Sequence, residues 1–151
     1  MMVVIIGIIV LFIGDLLIKR WARKRLGDES ITKADGNVRF NLLYNEGAAM
    51  GKLSSHKKVL NAVTVAVLGV LIFAAPDYIK KNANVAEKLG YTIATAGAFN
   101  NSYERLFKGK VTDYISFPKL PGKLKEIVFN ISDFFIMIGA VLMFVGSLTK
   151  K

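Results

Sequence analysis

Residues 127–148 read IVFNISDFFIMIGAVLMFVGSL, an apolar block that carries one charge, Asp133. At about 1.5 Å per residue a helix of that length crosses a hydrocarbon core of about 30 Å. A carboxylate placed there costs at least about 2.5–3.5 kcal/mol near the bilayer centre, so such groups face the protein interior and have a task. Asn130 lies three residues before Asp133, a spacing that puts both on one helix face.

Three other blocks repeat the pattern. Residues 1–18 (MMVVIIGIIVLFIGDLLI) hold one charge, Asp15, and are followed by Lys19, Arg20, Arg23, Lys24 and Arg25. They lack the basic leader and small-residue cleavage site of a secretory signal, so a retained spanning helix is expected. Lys19 follows Asp15 by four residues, the favourable acid-before-base order for a helical ion pair. Trp21 among the basic residues fits an interface anchor. Residues 59–75 form a second span ending at Pro76. Residues 85–100 form a weaker one, containing Glu87, Lys88, Thr92 and Thr95. The expectation is a mostly α membrane protein, one domain over residues 1–151, with four transmembrane helices at about 1–18, 59–75, 85–100 and 127–148. Both termini then share one side of the membrane, and the polar segments 19–58 and 100–126 share the other. In the first, residues 37–44 (NVRFNLLY) predict strand and hence a small extramembrane sheet.

Composition excludes several function classes. The chain has 151 residues, 53% of them hydrophobic, a net charge of +10, no cysteine and the single histidine His56. Disulfides, thiol nucleophiles, thiolate metal sites and multi-histidine metal centres are therefore out of reach. The basic residues gather at block edges without a nucleic-acid motif, which points to anionic lipid headgroups. His56 reads as a solvated loop residue.

The acidic residues that remain suit aspartic catalysis. Asp113, in the strand-like stretch VTDYI, can pair with Asp133 if the third and fourth helices meet at the membrane surface. Two aspartates sharing one proton can activate a water and polarise a peptide carbonyl. Asn45 and Asn101 are neutral groups able to orient a peptide backbone. Gly47, Ala48 and Ala49 are small enough to admit a substrate chain. Blander readings stand beside these: Asp15 with Lys19 as a structural ion pair, Glu104 with Arg105 as a surface pair, and Asn130 as an interhelical hydrogen bond.

Five boxes, in order, resemble signal peptidase II: Asp15 with Lys19; Tyr44-Asn45-Glu46-Gly47-Ala48-Ala49-Met50-Gly51; Gly97-Ala98-Phe99-Asn100-Asn101-Ser102-Tyr103-Glu104-Arg105; Val111-Thr112-Asp113-Tyr114-Ile115; and Phe129-Asn130-Ile131-Ser132-Asp133. Met50, Asn100, Tyr114, Ser132 and Glu104 depart from that family's Phe, Gly, Phe, Ala and Asp. The resemblance implies a membrane aspartic endopeptidase, with an extracytoplasmic sheet, in the bacterial cytoplasmic membrane. It would cut prolipoproteins just before a diacylglyceryl-modified cysteine, without metal or cofactor, and a monomer is expected. It implies Asp113 and Asp133 as the catalytic dyad. Asn45, Gly47, Ala48, Asn101, Arg105 and Asn130 would line the site, and Asp15, Lys19 and Glu104 would support it. Two other functions are compatible with the residues: a Ser–Lys peptidase using Ser54, Ser55, Ser102 or Ser116, and a non-catalytic lipid- or lipoprotein-binding protein.

Charge bias opposes this orientation. Sixteen of the 21 Lys and Arg lie on the side of the long polar segments, which the positive-inside rule would place in the cytoplasm. Five ordered boxes outweigh that bias. A basic outer rim including Lys108, Lys110 and Lys119 would instead serve to attract anionic phospholipid.

Overall fold

The structure, a computed structural model, describes residues 1–27, 29–47, 56–79 and 83–149. Ala48, expected to line the site, lies outside the described residues, as do Ala49, Met50, Ser54 and Ser55. The elements run α1 (Met2–Arg25), β1 (Ser30–Lys33), β2 (Val38–Asn45), α2 (Lys57–Ile79), α3 (Val85–Lys108), β3 (Val111–Ser116), β4 (Val128–Phe129) and α4 (Ile131–Leu148). They form two compact units. The first comprises Met1–Asp15, Val63–Ser102 and Ile131–Lys151, and the second Leu16–Ala62 and Tyr103–Asn130.

The first unit is helical, and its surface is apolar. Val65, Ile72 and Phe73 of α2, and Val141 and Phe144 of α4, are exposed, which water would not tolerate over so wide an area. Helices α1, α2 and α4 are long and apolar enough to cross a membrane, so this is a multi-pass membrane protein. Helix α3 is too polar to qualify by composition, and its contacts give the reason. Tyr91 Oη donates to the Leu71 carbonyl of α2 at 2.9 Å, and Asn100 Nδ2 donates to the Phe12 carbonyl of α1 at 2.9 Å. Glycines bring α3 against α4: a Cβ on Gly90 would lie 2.6 Å from the Gly139 carbonyl, and one on Gly97 2.5 Å from the Ser132 carbonyl. Such close backbone approach through small residues is how helices associate where lipid supplies no hydrophobic drive. Glu87, Thr92, Thr95 and Asn100 of α3 are thus buried against protein.

Element bounds differ from the apolar blocks where polar partners extend a helix or interrupt it. Helix α2 continues past Pro76 to Ile79, where Tyr78 stacks on Tyr91 of α3 with centroids 5.0 Å apart. Helix α3 runs on to Lys108. Near its start the last apolar block holds two strand residues, Val128 and Phe129, before α4 begins at Ile131. Asn130 therefore precedes α4 rather than lying on one of its faces.

The second unit holds an antiparallel sheet of order β1-β2-β3-β4. Strand β2 falls where residues 37–44 predicted one. Its register with β3 pairs Leu43 with Asp113 and Asn45 with Val111, after a shift between Phe40 and Leu43. Such irregularities re-aim side chains, and this one lies beside Asp113.

Candidate active site

Alternation along β3 decides what each residue can reach, because successive side chains leave a strand on opposite faces. Val111 and Asp113 share one face; Thr112 and Tyr114 share the other. On the first face Asn45 lies diagonal to Asp113, within reach of a short side chain. Its Nδ2 donates to Asp113 Oδ2 at 3.0 Å. Asn45 is itself oriented, since the Gly47 N–H donates to its Oδ1 at 3.2 Å. Asn130, fully buried, donates from Nδ2 to Asp113 Oδ1 at 2.6 Å. Both carboxylate oxygens of Asp113, a residue only 2% exposed, therefore accept an amide hydrogen.

The opposite face of β3 is clamped by Glu104. This carboxylate is completely buried. It accepts the Thr112 N–H at 2.9 Å and the Thr112 hydroxyl at 3.1 Å. Three cations surround it: Lys19 Nζ at 3.4 Å, Arg23 Nη1 at 2.8 Å and Lys108 Nζ at 2.9 Å. Arg23 Nη1 also donates to Thr112 Oγ1 at 2.8 Å. Burial pushes the Glu104 carboxyl up, but the Lys19 charge, the Lys108 hydrogen bond and the Thr112 N–H outweigh it and hold the pKa at about 2, below the ordinary 4.5. The expectation of a surface Glu104–Arg105 pair is corrected here. Glu104 points inward to cations one turn away and on α1, because adjacent helical residues do not face each other.

In the first unit, Asp133 lies in the first turn of α4, where the helix dipole favours negative charge. It is half-buried, and Asn101 Nδ2 donates to its Oδ1 at 2.8 Å. Next to it the Ser132 hydroxyl donates to the buried carboxylate of Asp15. Asp15 and Lys19, four residues apart on α1, thus each have a named partner elsewhere in the chain: Ser132 for the first, Glu104 for the second.

Of the remaining candidates, Gly47 is buried and Arg105 half-buried. Ser116 donates to the Asn41 side chain at 2.7 Å, which ties its hydroxyl to β2. Ser102 is buried. His56 is exposed, as the sequence led one to expect. Among the described residues no three of His, Cys, Asp and Glu gather as a metal site would require. The residues that the sequence did not single out are Arg23 and Thr112. Their role depends on contacts across 81 and 89 residues, for which local spacing carries no signal.

Comparison with known proteins gives a consistent family. A family model described as signal peptidase (SPase) II matches residues 7–149. A lipoprotein signal peptidase of Clostridioides difficile (strain 630) is 34% identical over 137 residues, covering 89% of this chain and 87% of that protein. Another, from Clostridium acetobutylicum, is 32% identical over 147 residues, covering 93% and 88%. A bacterial membrane enzyme solved by the in meso method at 1.9 Å has a TM-score of 0.81 at 23% identity, over 100% of this chain and 96% of that one. This last likeness concerns the fold alone.

Proposed function

The chain belongs to the signal peptidase II family, and from that premise we propose that it removes the signal peptide of diacylglyceryl-modified prolipoproteins, cutting just before the lipid-modified cysteine. It is a membrane aspartic endopeptidase, a hydrolase. In this reading Asp113 and Asp133 are the dyad, residues 85–100 of α3 form a fourth transmembrane span, and the sheet with the dyad works at the extracytoplasmic face of the bacterial cytoplasmic membrane. The expected monomer is part of the same proposal.

The observation that carries the assignment is the set of asparagine amides on the two carboxylates: Asn45 and Asn130 on Asp113, Asn101 on Asp133. Neutral donors fix a carboxylate's orientation without cancelling its charge. The two residues are also tied through the chain, since Asn130, which holds Asp113, precedes Asp133 by three residues.

The roles divide by hydrogen bonding. Asp113, with a donor on each oxygen, suits the ionised form and acts as base. It takes a proton from the attacking water. Asp133 carries the shared proton and donates it towards the peptide carbonyl oxygen as the hydroxyl adds to the carbonyl carbon. Collapse of the tetrahedral intermediate breaks the C–N bond; the proton taken by Asp113 passes to the leaving nitrogen, and the proton given to the carbonyl oxygen returns to Asp133 as C=O re-forms. The acyl chain of the substrate lies against apolar helix surface, which is where a lipid-anchored peptide differs from a soluble one.

The test is a gel-shift assay of a lipidated precursor and of the same precursor without its diacylglyceryl group. Wild type is expected to shorten only the lipidated form, and Asp113→Asn and Asp133→Asn neither. Cleavage that survives Asp113→Asn would instead favour a serine nucleophile.

A further inference from the structure

The second unit carries a surface that neither aspartate uses. Residues 117–126 read FPKLPGKLKE. The segment is held at its ends: Phe117 meets Phe129 with ring centroids 6.1 Å apart, and the Ile127 N–H donates to the Leu124 carbonyl at 3.2 Å. Between these points residues 119–126 are exposed without a break, and the 3-10 turn Gly122–Glu126 buries no residue. Leu120 is 39% exposed and Leu124 50% exposed. Lys119, Lys123 and Lys125 flank them, against the single acid Glu126.

Two leucines held out on a turn stabilise nothing in water. Placed between lysines, they have the composition of an element that lies in a membrane interface. The same unit contains the basic end of α1, from Leu16 to Arg25, and the start of α2, both helices apolar enough to span. Trp21, 46% exposed near that end of α1, fits the headgroup level. A unit into which the ends of spanning helices run lies at a bilayer surface, whichever side it faces. The basic excess recorded in the sequence thereby acquires a partner of opposite sign.

We propose that residues 119–126 form an interfacial loop that binds anionic phospholipid, with Leu120 and Leu124 entering the headgroup–acyl boundary and Lys119, Lys123 and Lys125 engaging lipid phosphates. Binding draws on two sources. The leucines supply apolar burial in any lipid, and the lysines supply attraction only where the surface is anionic. Neutralising one lysine reduces insertion by roughly fivefold on an anionic surface and leaves it unchanged on a neutral one.

The experiment uses the full chain in nanodiscs of phosphatidylcholine, with or without phosphatidylglycerol, carrying brominated acyl chains. Leu124→Trp in a Trp21→Phe background supplies one indole at the loop. Expected are strong quenching by brominated lipid and shielding from acrylamide in phosphatidylglycerol discs, both weakened when Lys119, Lys123 and Lys125 are changed to Gln. An indole open to acrylamide and indifferent to bromine in both discs overturns the proposal. So does equal quenching in the two lipids that the Lys→Gln changes leave untouched, because the lysines then bind no anionic lipid. The readout needs no substrate, so its failure is separate from any failure of the peptidase assignment.

Discussion

Glu104→Gln takes the charge from the centre of the second unit while keeping nearly the same shape. The carboxylate is fully buried among Lys19, Arg23 and Lys108 and holds both the backbone and the hydroxyl of Thr112. Its pKa of about 2, against an ordinary 4.5, corresponds to stabilisation on the order of 3 kcal/mol at neutral pH. Removing one partner of a buried ion pair costs a similar amount, about 3–5 kcal/mol, because a buried cation loses its neighbour. Lys19, itself fully buried, is that cation. The sign of the pH dependence follows from the lowered value. The folded form holds its proton less tightly than the unfolded one, so this contribution is complete above about pH 4.5 and is lost as pH falls through 2. Unfolding of the purified protein in detergent, followed by Trp21 fluorescence from neutral pH down to acid, measures both. Glu104→Gln is expected to lose about 3 kcal/mol at neutral pH and to flatten the acid limb. Glu104→Asp keeps the charge but shortens the arm that reaches β3, and is expected to lose about 1 kcal/mol. A Gln variant as stable as wild type at neutral pH is incompatible with Glu104 acting as the charge partner of buried Lys19.

Other consequences are smaller. Asn130→Ala removes a hydrogen bond to a charged group, worth about 1.5–3 kcal/mol; with all of that acting on the reacting form, the cleavage rate falls roughly 10- to 150-fold with lipid-substrate affinity nearly unchanged, which separate kcat and KM values would show. Gly139→Ala forces a methyl to within 2.5 Å of the Gly90 carbonyl and 2.6 Å of Ala94 on α3, and is expected to lower stability by about 1–3 kcal/mol in a thermal melt. Ser132→Ala withdraws one hydroxyl donor from Asp15 and is expected to cost about 1–2 kcal/mol while leaving cleavage measurable in the gel assay.

What the sequence made legible was what rests on local pattern. The apolar blocks gave three helices long enough to span, a short run of β-formers gave β2, and VTDYI gave β3. Strand β1 escaped because it is four exposed residues with a single apolar side chain, Ile31, and so no alternation to read. Strand β4 escaped because its two residues lie near the start of an apolar run and look like the start of a helix. The Asn-Ile-Ser-Asp sequence did hold the clue, since Asn is a preferred residue just before a helix with an acid in its first turn. The weak hydropathy of residues 85–100 reflects position: α3 packs on three other helices of its unit, so it needs small and polar side chains rather than lipid-facing ones. Glu104 was read through its neighbour Arg105, but its partners are Lys108 and Thr112 nearby and, more than eighty residues away, Lys19 and Arg23. Partnerships across such sequence distances become visible only once the chain is folded.

Cleavage by the two aspartates as one device is most directly tested by a mutant cycle in a single reconstituted system. Initial rates on a lipidated precursor would be measured for wild type, Asp113→Asn, Asp133→Asn and the double variant, each checked for an unchanged melting temperature. Groups that act together lose nearly everything when either is removed, so both single variants are expected to fall to the level of the double. Losses that add independently, or a single variant that retains substantial rate, would contradict that joint action.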